Sequence, residues 1–150
     1  VNVPNCKRIW GGAFQWCSGL KTIELPYITE FGDTDAYNYD YTFEGTDLIE
    51  VYLPSCHTLR YRTFAICQSL VSVKLPVCIN LGEETFDHRY ALTDLYLGKR
   101  PTVHENTFKD LHEPVKVHIR ESMVNEYQND SDWKTLVDAG KVILVGDYTD

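Results

Sequence analysis

Leu70-Val71-Ser72-Val73-Lys74-Leu75-Pro76 is one copy of a unit that recurs along the chain. Its pattern, leucine-x-x-aliphatic-x-leucine, also reads Leu20 to Leu25, Leu48 to Leu53 and Leu92 to Leu97. A shortened copy opens the chain at Val1-Asn2-Val3, and a degenerate one closes the series at Val117-His118-Ile119. The closing aliphatics fall at 3, 25, 53, 75, 97 and 119, so the spacings are 22, 28, 22, 22 and 22. A fixed period of this size predicts a solenoid, in which each unit buries its apolar face only against its neighbours. Solenoids offer extended surfaces for recognition more often than enclosed pockets for chemistry.

Further columns keep the same phase. Pro4, Pro26, Pro54 and Pro76 follow the closing aliphatic, with Gly98 in the fifth copy. Proline donates no backbone N–H, so each strand is expected to stop there. Cys6, Ile28, Cys56 and Cys78 come next, then Ile9, Phe31, Leu59, Leu81 and Val103. A return segment carries Ala13-Phe14, Thr42-Phe43, Thr63-Phe64, Thr85-Phe86 and Thr107-Phe108. Each repeat therefore predicts a short strand, a bend and a Phe-bearing return. Six rungs at the usual strand separation make a sheet roughly 24 Å across.

Strand alternation sends the aliphatics inward and the residues between them outward. The outward row reads Asn2, Glu24, Tyr52, Lys74, Tyr96 and His118. Beside it run Thr22, Glu50, Ser72, Asp94 and Lys116. Glu24, Glu50, Tyr52, Lys74, Asp94 and Tyr96 are the candidate contact residues on this face. Two tyrosines about 10 Å apart, from the rung spacing, suit stacking on sugar rings or anchoring a peptide. The competing account is that exposed strand positions favour Tyr for its β-propensity alone.

The columns from leucine through Pro, Cys and Thr/Ala-Phe resemble the BspA-like leucine-rich-repeat family of bacterial surface proteins. The segment from Val117 through Ser122, Met123 and Tyr127 to Trp133 resembles the cap that ends such arrays. The resemblance implies a right-handed leucine-rich-repeat solenoid, with one short parallel strand per repeat and mostly irregular returns. It further implies a secreted or cell-surface, non-enzymatic module with an adhesion or host-protein-binding role. Repeat five departs from the pattern at Gly98 and Arg100, as expected where an array ends.

The expected organisation is an array over residues 1–114, of about five repeats, followed by a last strand and C-terminal cap over 115–150. In the cap, Met123, Val124 and Tyr127 recur at helical spacing after Ser122, a candidate N-cap. Trp133, Leu136 and Val137 do so after Ser131, with Gly140 as the stop. Residues 141–145 then read as a strand. Because the chain opens inside a repeat and shows no signal peptide, it is expected to be a piece of a longer parent array.

An insertion at 32–41 lengthens repeat two and holds Asp33, Asp35, Tyr37, Tyr39 and Asp40. Such insertions map to loops, often on a binding face. The Asp positions lack the Gly and Glu of a helix–loop–helix calcium site. Contact with a protein or glycan is therefore weighed ahead of calcium, and a solvated bulge ahead of both.

Composition narrows the classes. Fourteen Lys and Arg stand against 22 Asp and Glu, a formal net charge of −8. Phosphate binding needs clustered cations, so nucleic acid is not an expected partner. No apolar run approaches the roughly 18 residues of a membrane span. The five cysteines fall in register, Cys6 with Cys56 and Cys78, and Cys17 with Cys67. Register with Ile28 makes the first column a core position, so buried thiols are expected. His112-Glu113 resembles the start of a zinc-protease helix, but Pro114 interrupts it. No metal or other cofactor and no catalytic residue is expected. The function expected is non-catalytic recognition of a protein or glycan. The alternatives are a structural spacer and, last, an enzyme using Cys and His groups.

Overall fold

The computed structural model describes residues 1–32, 40–88 and 91–149. Parallel strands stack in it as a solenoid of about five turns, consistent with the expected leucine-rich-repeat architecture. The leucine-signature sheet holds β3 (Glu50–Tyr52), β5 (Ser72–Leu75), β7 (Asp94–Leu97), β8 (Val115–His118) and β9 (Val142–Val145), in that order. At the amino end the first two copies meet only as a bridge between Asn2 and Glu24. β5 stops at Leu75 before Pro76, and β7 at Leu97 before Gly98. Glycine is required at 98 by close approach: a Cβ there would lie 2.3 Å from the Pro76 carbonyl oxygen.

The bend of each repeat is more regular than expected. It forms a second parallel sheet of two-residue strands: β1 (Arg8–Ile9), β2 (Glu30–Phe31), β4 (Thr58–Leu59) and β6 (Asn80–Leu81). Strands this short carry no alternation to read in sequence. One residue of each, Ile9, Phe31, Leu59 and Leu81, enters the core. The return segments also stack through backbone bonds. Phe14 N–H donates to Thr42 O (2.9 Å), Phe43 to Thr63 (2.9 Å), Phe64 to Thr85 (3.1 Å) and Phe86 to Thr107 (3.1 Å).

Two columns of left-handed backbone bracket that ladder. Gly12, Tyr41, Arg62 and Glu84 form one, with φ between 52° and 71°. Trp16, Gly45, Ile66, His88 and Asp110 form the other, with φ between 52° and 70°. Left-handed backbone is costly for ordinary residues, and the ladder holds it in place rung after rung. Gly45 has a second reason to be glycine, since the Trp16 ring lies 2.2 Å from where a Cβ would sit.

The core is a set of ladders, as the columns imply. Leu25, Leu53, Leu75, Leu97 and Ile119 form one buried line, and Ile23, Val51, Val73, Leu95 and Val117 another. Phe14, Phe43, Phe64, Phe86 and Phe108 stack face to face, with successive centroids 5.3–6.2 Å apart. Cys56, Cys67 and Cys78 are buried, but Cys17 is exposed and Cys6 half-buried. The core position read for the first column therefore holds for Cys56 and Cys78, whereas Cys6, on the first turn, is only half covered.

The cap follows β8 as a single 3-10 turn (Glu121–Met123), α1 (Val124–Asn129) and α2 (Ser131–Asp138). Ser122 and Ser131 are not the N-caps. Ser122 lies inside the 3-10 turn, and Asp130 caps α2 by accepting from Asp132 N–H and Trp133 N–H. Its carboxylate can reach both amides, whereas Ser131 already lies within the helix. Gly140, at φ 70°, ends the helix as expected. β9 then pairs in parallel with β8, Lys116 opposite Ile143 and His118 opposite Val145.

The cap also satisfies groups the array leaves open. Trp133 Nε1 donates to Pro101 O (2.8 Å) and the Tyr127 hydroxyl to Lys99 O (2.6 Å). Arg100, which replaces the cysteine column, pairs with Glu126 (2.8 Å) and Asp130. Both aromatic side chains are fully buried, and Trp133 packs on Phe108, the last phenylalanine of the ladder.

Candidate binding face

Parallel, in-register pairing turns the repeat into rows. Tyr52 lies opposite Lys74, Lys74 opposite Tyr96, and Tyr96 opposite His118. Beside them Glu50, Ser72, Asp94 and Lys116 align in the same way. The structure thus places Glu50, Tyr52, Lys74, Asp94 and Tyr96 on one sheet face, with Glu24 on the adjacent bridged rung.

Exposure divides that set. Tyr52 keeps 58% of its surface open, and Glu24, Glu50 and Lys74 are also exposed. Tyr96 and His118 are instead engaged by the C-terminal tail, and Asp94 by His118. His118 is buried, although its position points outward from the sheet. Its Nε2 lies 2.7 Å from Asp94 Oδ1 and its Nδ1 2.7 Å from Asp147 Oδ1. Its ring stacks on Tyr96, and Tyr148 approaches Tyr96 at a tilt, with centroids 6.0 Å apart. Partial burial, then the carboxylates of Asp94, Asp147 and Glu50, push the Tyr96 phenol upward.

The tail makes a wall. Tyr148 and Thr149, with Glu50, Tyr52, Ser72 and Lys74, line an open groove of about 350 Å³ on the sheet. A second groove lies on the other side of Tyr52, floored by Ile23, Leu25, Pro26 and Pro54 and edged by Glu24. It falls where the bridged amino end meets β3, joined there by Ile49 N–H to Lys21 O (3.3 Å). Tyr52 is therefore a ridge between two depressions, one of mixed polarity and one largely apolar. The Lys74 ammonium sits 5.0 Å from the Tyr96 ring centroid, within cation–π range.

The insertion yields one correction. Asp40 is buried, not available to a ligand: its carboxylate accepts from Thr42 N–H (3.0 Å) and from the Thr42 and Thr63 hydroxyls. Burial pushes its pKa up despite those bonds. The carboxylate ties the end of the insertion to the next rung. Asp33, Asp35, Tyr37 and Tyr39 lie outside the described residues.

The buried thiols are poor nucleophiles. Burial pushes Cys78 up to about 11 and Cys56 further the same way, so the thiolate is scarce at neutral pH. Asp147, Tyr148 and Thr149 were not found by sequence reasoning. They follow the last strand outside any periodic column, so no spacing marks them.

The sequence profile of the BspA type leucine rich repeat region matches the chain in six copies, across residues 1–110 and 36–131. No curated protein and no solved structure gives a match. That family is generally one of surface-associated repeat modules, and its solenoid is typically a non-enzymatic scaffold. No helix among the described residues is long and apolar enough to cross a membrane. With repeat columns, stacked parallel strands and profile in agreement over most of its length, this chain belongs to the BspA-type leucine-rich-repeat family.

Proposed function

We propose that the protein is a non-catalytic recognition module of an exported bacterial surface protein. It binds a protein or glycan ligand on the leucine-signature sheet, around Tyr52. The observation that carries this reading is Tyr52 itself, a large aromatic standing open between two grooves. An aromatic with a polar tip supplies contact area at low entropic cost, and it stacks equally on a sugar face or a peptide side chain. Glu24 and Glu50 edge the grooves and Lys74 lines one of them, giving hydrogen-bonding groups of both signs. Asp94 and Tyr96 act behind them, holding the tail that walls the groove.

The spacer reading has its own support, since Asp94, Tyr96 and His118 are committed to contacts within the chain. A binding screen against glycans and host extracellular proteins separates the two. Tyr52→Ala and Lys74→Ala variants, checked for folding by circular dichroism, are screened beside the unmodified protein. Recognition by this face predicts a ligand whose affinity falls about tenfold or more in Tyr52→Ala, the range of an aromatic anchor. A ligand retained by both variants moves the site off this face. A folded protein with no ligand supports the spacer.

A further inference from the structure

On the return face, two successive rungs bring together Asp87, His88 and Asp110, with one donor atom from each lying within 4.8 Å of the others. Asp87 is fully buried. Its Oδ2 faces Arg62 Nη1 at 3.4 Å, but among the described residues its Oδ1 has no hydrogen-bond partner. His88 Nδ1 lies 2.7 Å from that Oδ1, close enough for contact but off the line a hydrogen bond requires. A buried carboxylate oxygen left without a donor is costly, and native structures seldom tolerate one without a reason. Across the rung, His88 Nε2 approaches Asp110 Oδ2 at 3.6 Å.

We propose that Asp87, His88 and Asp110 form a site for a divalent transition-metal ion of the zinc class. Imidazole nitrogen and carboxylate oxygen bind such an ion at about 2.0–2.2 Å, so in its tetrahedral geometry two donors on one ion lie about 3.3–3.6 Å apart. The three donors here, within 4.8 Å of one another, reach that spacing by side-chain rotation that draws the wider pairs together by up to about 1.5 Å and opens the close His88 Nδ1–Asp87 Oδ1 pair. The His88 and Asp110 side chains, 46% and 55% exposed, have room to make it, while the buried Asp87 provides the fixed point. One ring nitrogen of His88 takes the ion. Three protein donors leave a coordination position for water. Asp87 Oδ1, which accepts no hydrogen bond among the described residues, becomes a ligand, and Arg62 stays on the other oxygen. The ion joins one turn of the solenoid to the next at its return face.

Sequence alone hides the cluster. His88 and Asp110 are 22 residues apart and meet only because both occupy the same left-handed column, at φ 54° and 52°. The corresponding positions on the other rungs, Ile66, Gly45 and Trp16, offer no donor.

The test is calorimetric titration of the whole chain with zinc chloride, repeated with cobalt(II) read by its visible absorption. His88→Asn and Asp110→Asn are the key variants, because asparagine accepts left-handed backbone and the fold is kept. Cys17→Ser and His57→Ala are the controls for binding at other exposed donors. The expected result is saturable binding of one ion, weakened by about tenfold or more in each key variant as a ligand is lost, and unchanged in the controls. The melting temperature of the unmodified protein should rise with zinc, and that of His88→Asn should not. No binding to the folded protein overturns the proposal. So does equal binding by His88→Asn and Asp110→Asn, or loss of binding in Cys17→Ser.

Discussion

The His118 ring lies nearly parallel on the Tyr96 ring, with centroids 4.3 Å apart and a 13° angle between planes. The two residues are register partners on adjacent strands, so the stack follows from the sheet. What closes over it is the tail, through Asp147 and Tyr148. An outward row that would otherwise be uniform is thereby split into an open half at Tyr52 and Lys74 and a covered half at Tyr96 and His118.

The tail's attachment should weaken in acid. A hydrogen bond from Thr93, then the contacts with His118, hold the Asp94 carboxyl below its ordinary value of 3.8, outweighing partial burial. A lowered value means this stabilisation is complete above 3.8 and lost as pH falls through the lower folded value. The protection factors of the amides of residues 143–149, taken against their intrinsic rates, should therefore fall at low pH before those of the core residues of β5 and β7 respond. In Asp94→Asn the tail should already exchange rapidly at neutral pH. Equal protection of the tail in both proteins would refute the clamp.

Trp133→Ala should destabilise the protein by about 3 kcal/mol, the usual cost of emptying a large aromatic site. The indole fills the end of the phenylalanine ladder and donates to Pro101 O, so both packing and a buried hydrogen bond are lost. Thermal melts read the change directly. An unaltered melting temperature would remove Trp133 from the cap.

Arg62 is the charge centre of the return face. It bonds Glu44 through Nε (3.0 Å) and Nη2, and reaches Glu84 (3.2 Å) and Asp87 (3.4 Å) through Nη1. Glu44 and Asp87 are buried, so Arg62→Ala leaves two uncompensated carboxylates and should cost about 3–5 kcal/mol. Arg62→Lys should recover only part of this, because an ammonium cannot fork between the acids. Denaturant titrations of both variants supply the comparison.

Thiol labelling of the folded protein near pH 8 should modify Cys17 first. Cys56 and Cys78 should react only after denaturant is added, since both are buried and their pKa values are raised. Rapid labelling of Cys56 in the folded state would restore the Cys/His enzyme reading.

Much of the fold was legible because a repeat reports the same fact several times. Each leucine, valine and phenylalanine column names a core ladder, and Pro76 marks the end of β5. Asp40 shows where that reading stops. Its place in a polar insertion implied a solvent-facing ligand, and only the neighbouring rung's Thr63 hydroxyl makes it a buried structural acceptor. The two-residue strands of the second sheet escaped for a related reason: they are too short to alternate.

The period and its residue columns determined the solenoid architecture, the inward and outward rows, and Tyr52 and Lys74 as neighbours on a face. These depend on residues one repeat apart, and stacking converts a fixed period into contact. The tertiary structure decided which outward residues remain open. His118 is covered by Asp147 and Tyr148, and Asp87 meets His88 and Asp110, through relations no repeat column encodes. Those contacts depend on where an aperiodic tail crosses the sheet and on which rungs carry donors at one left-handed position. Both are settled by chain geometry in three dimensions.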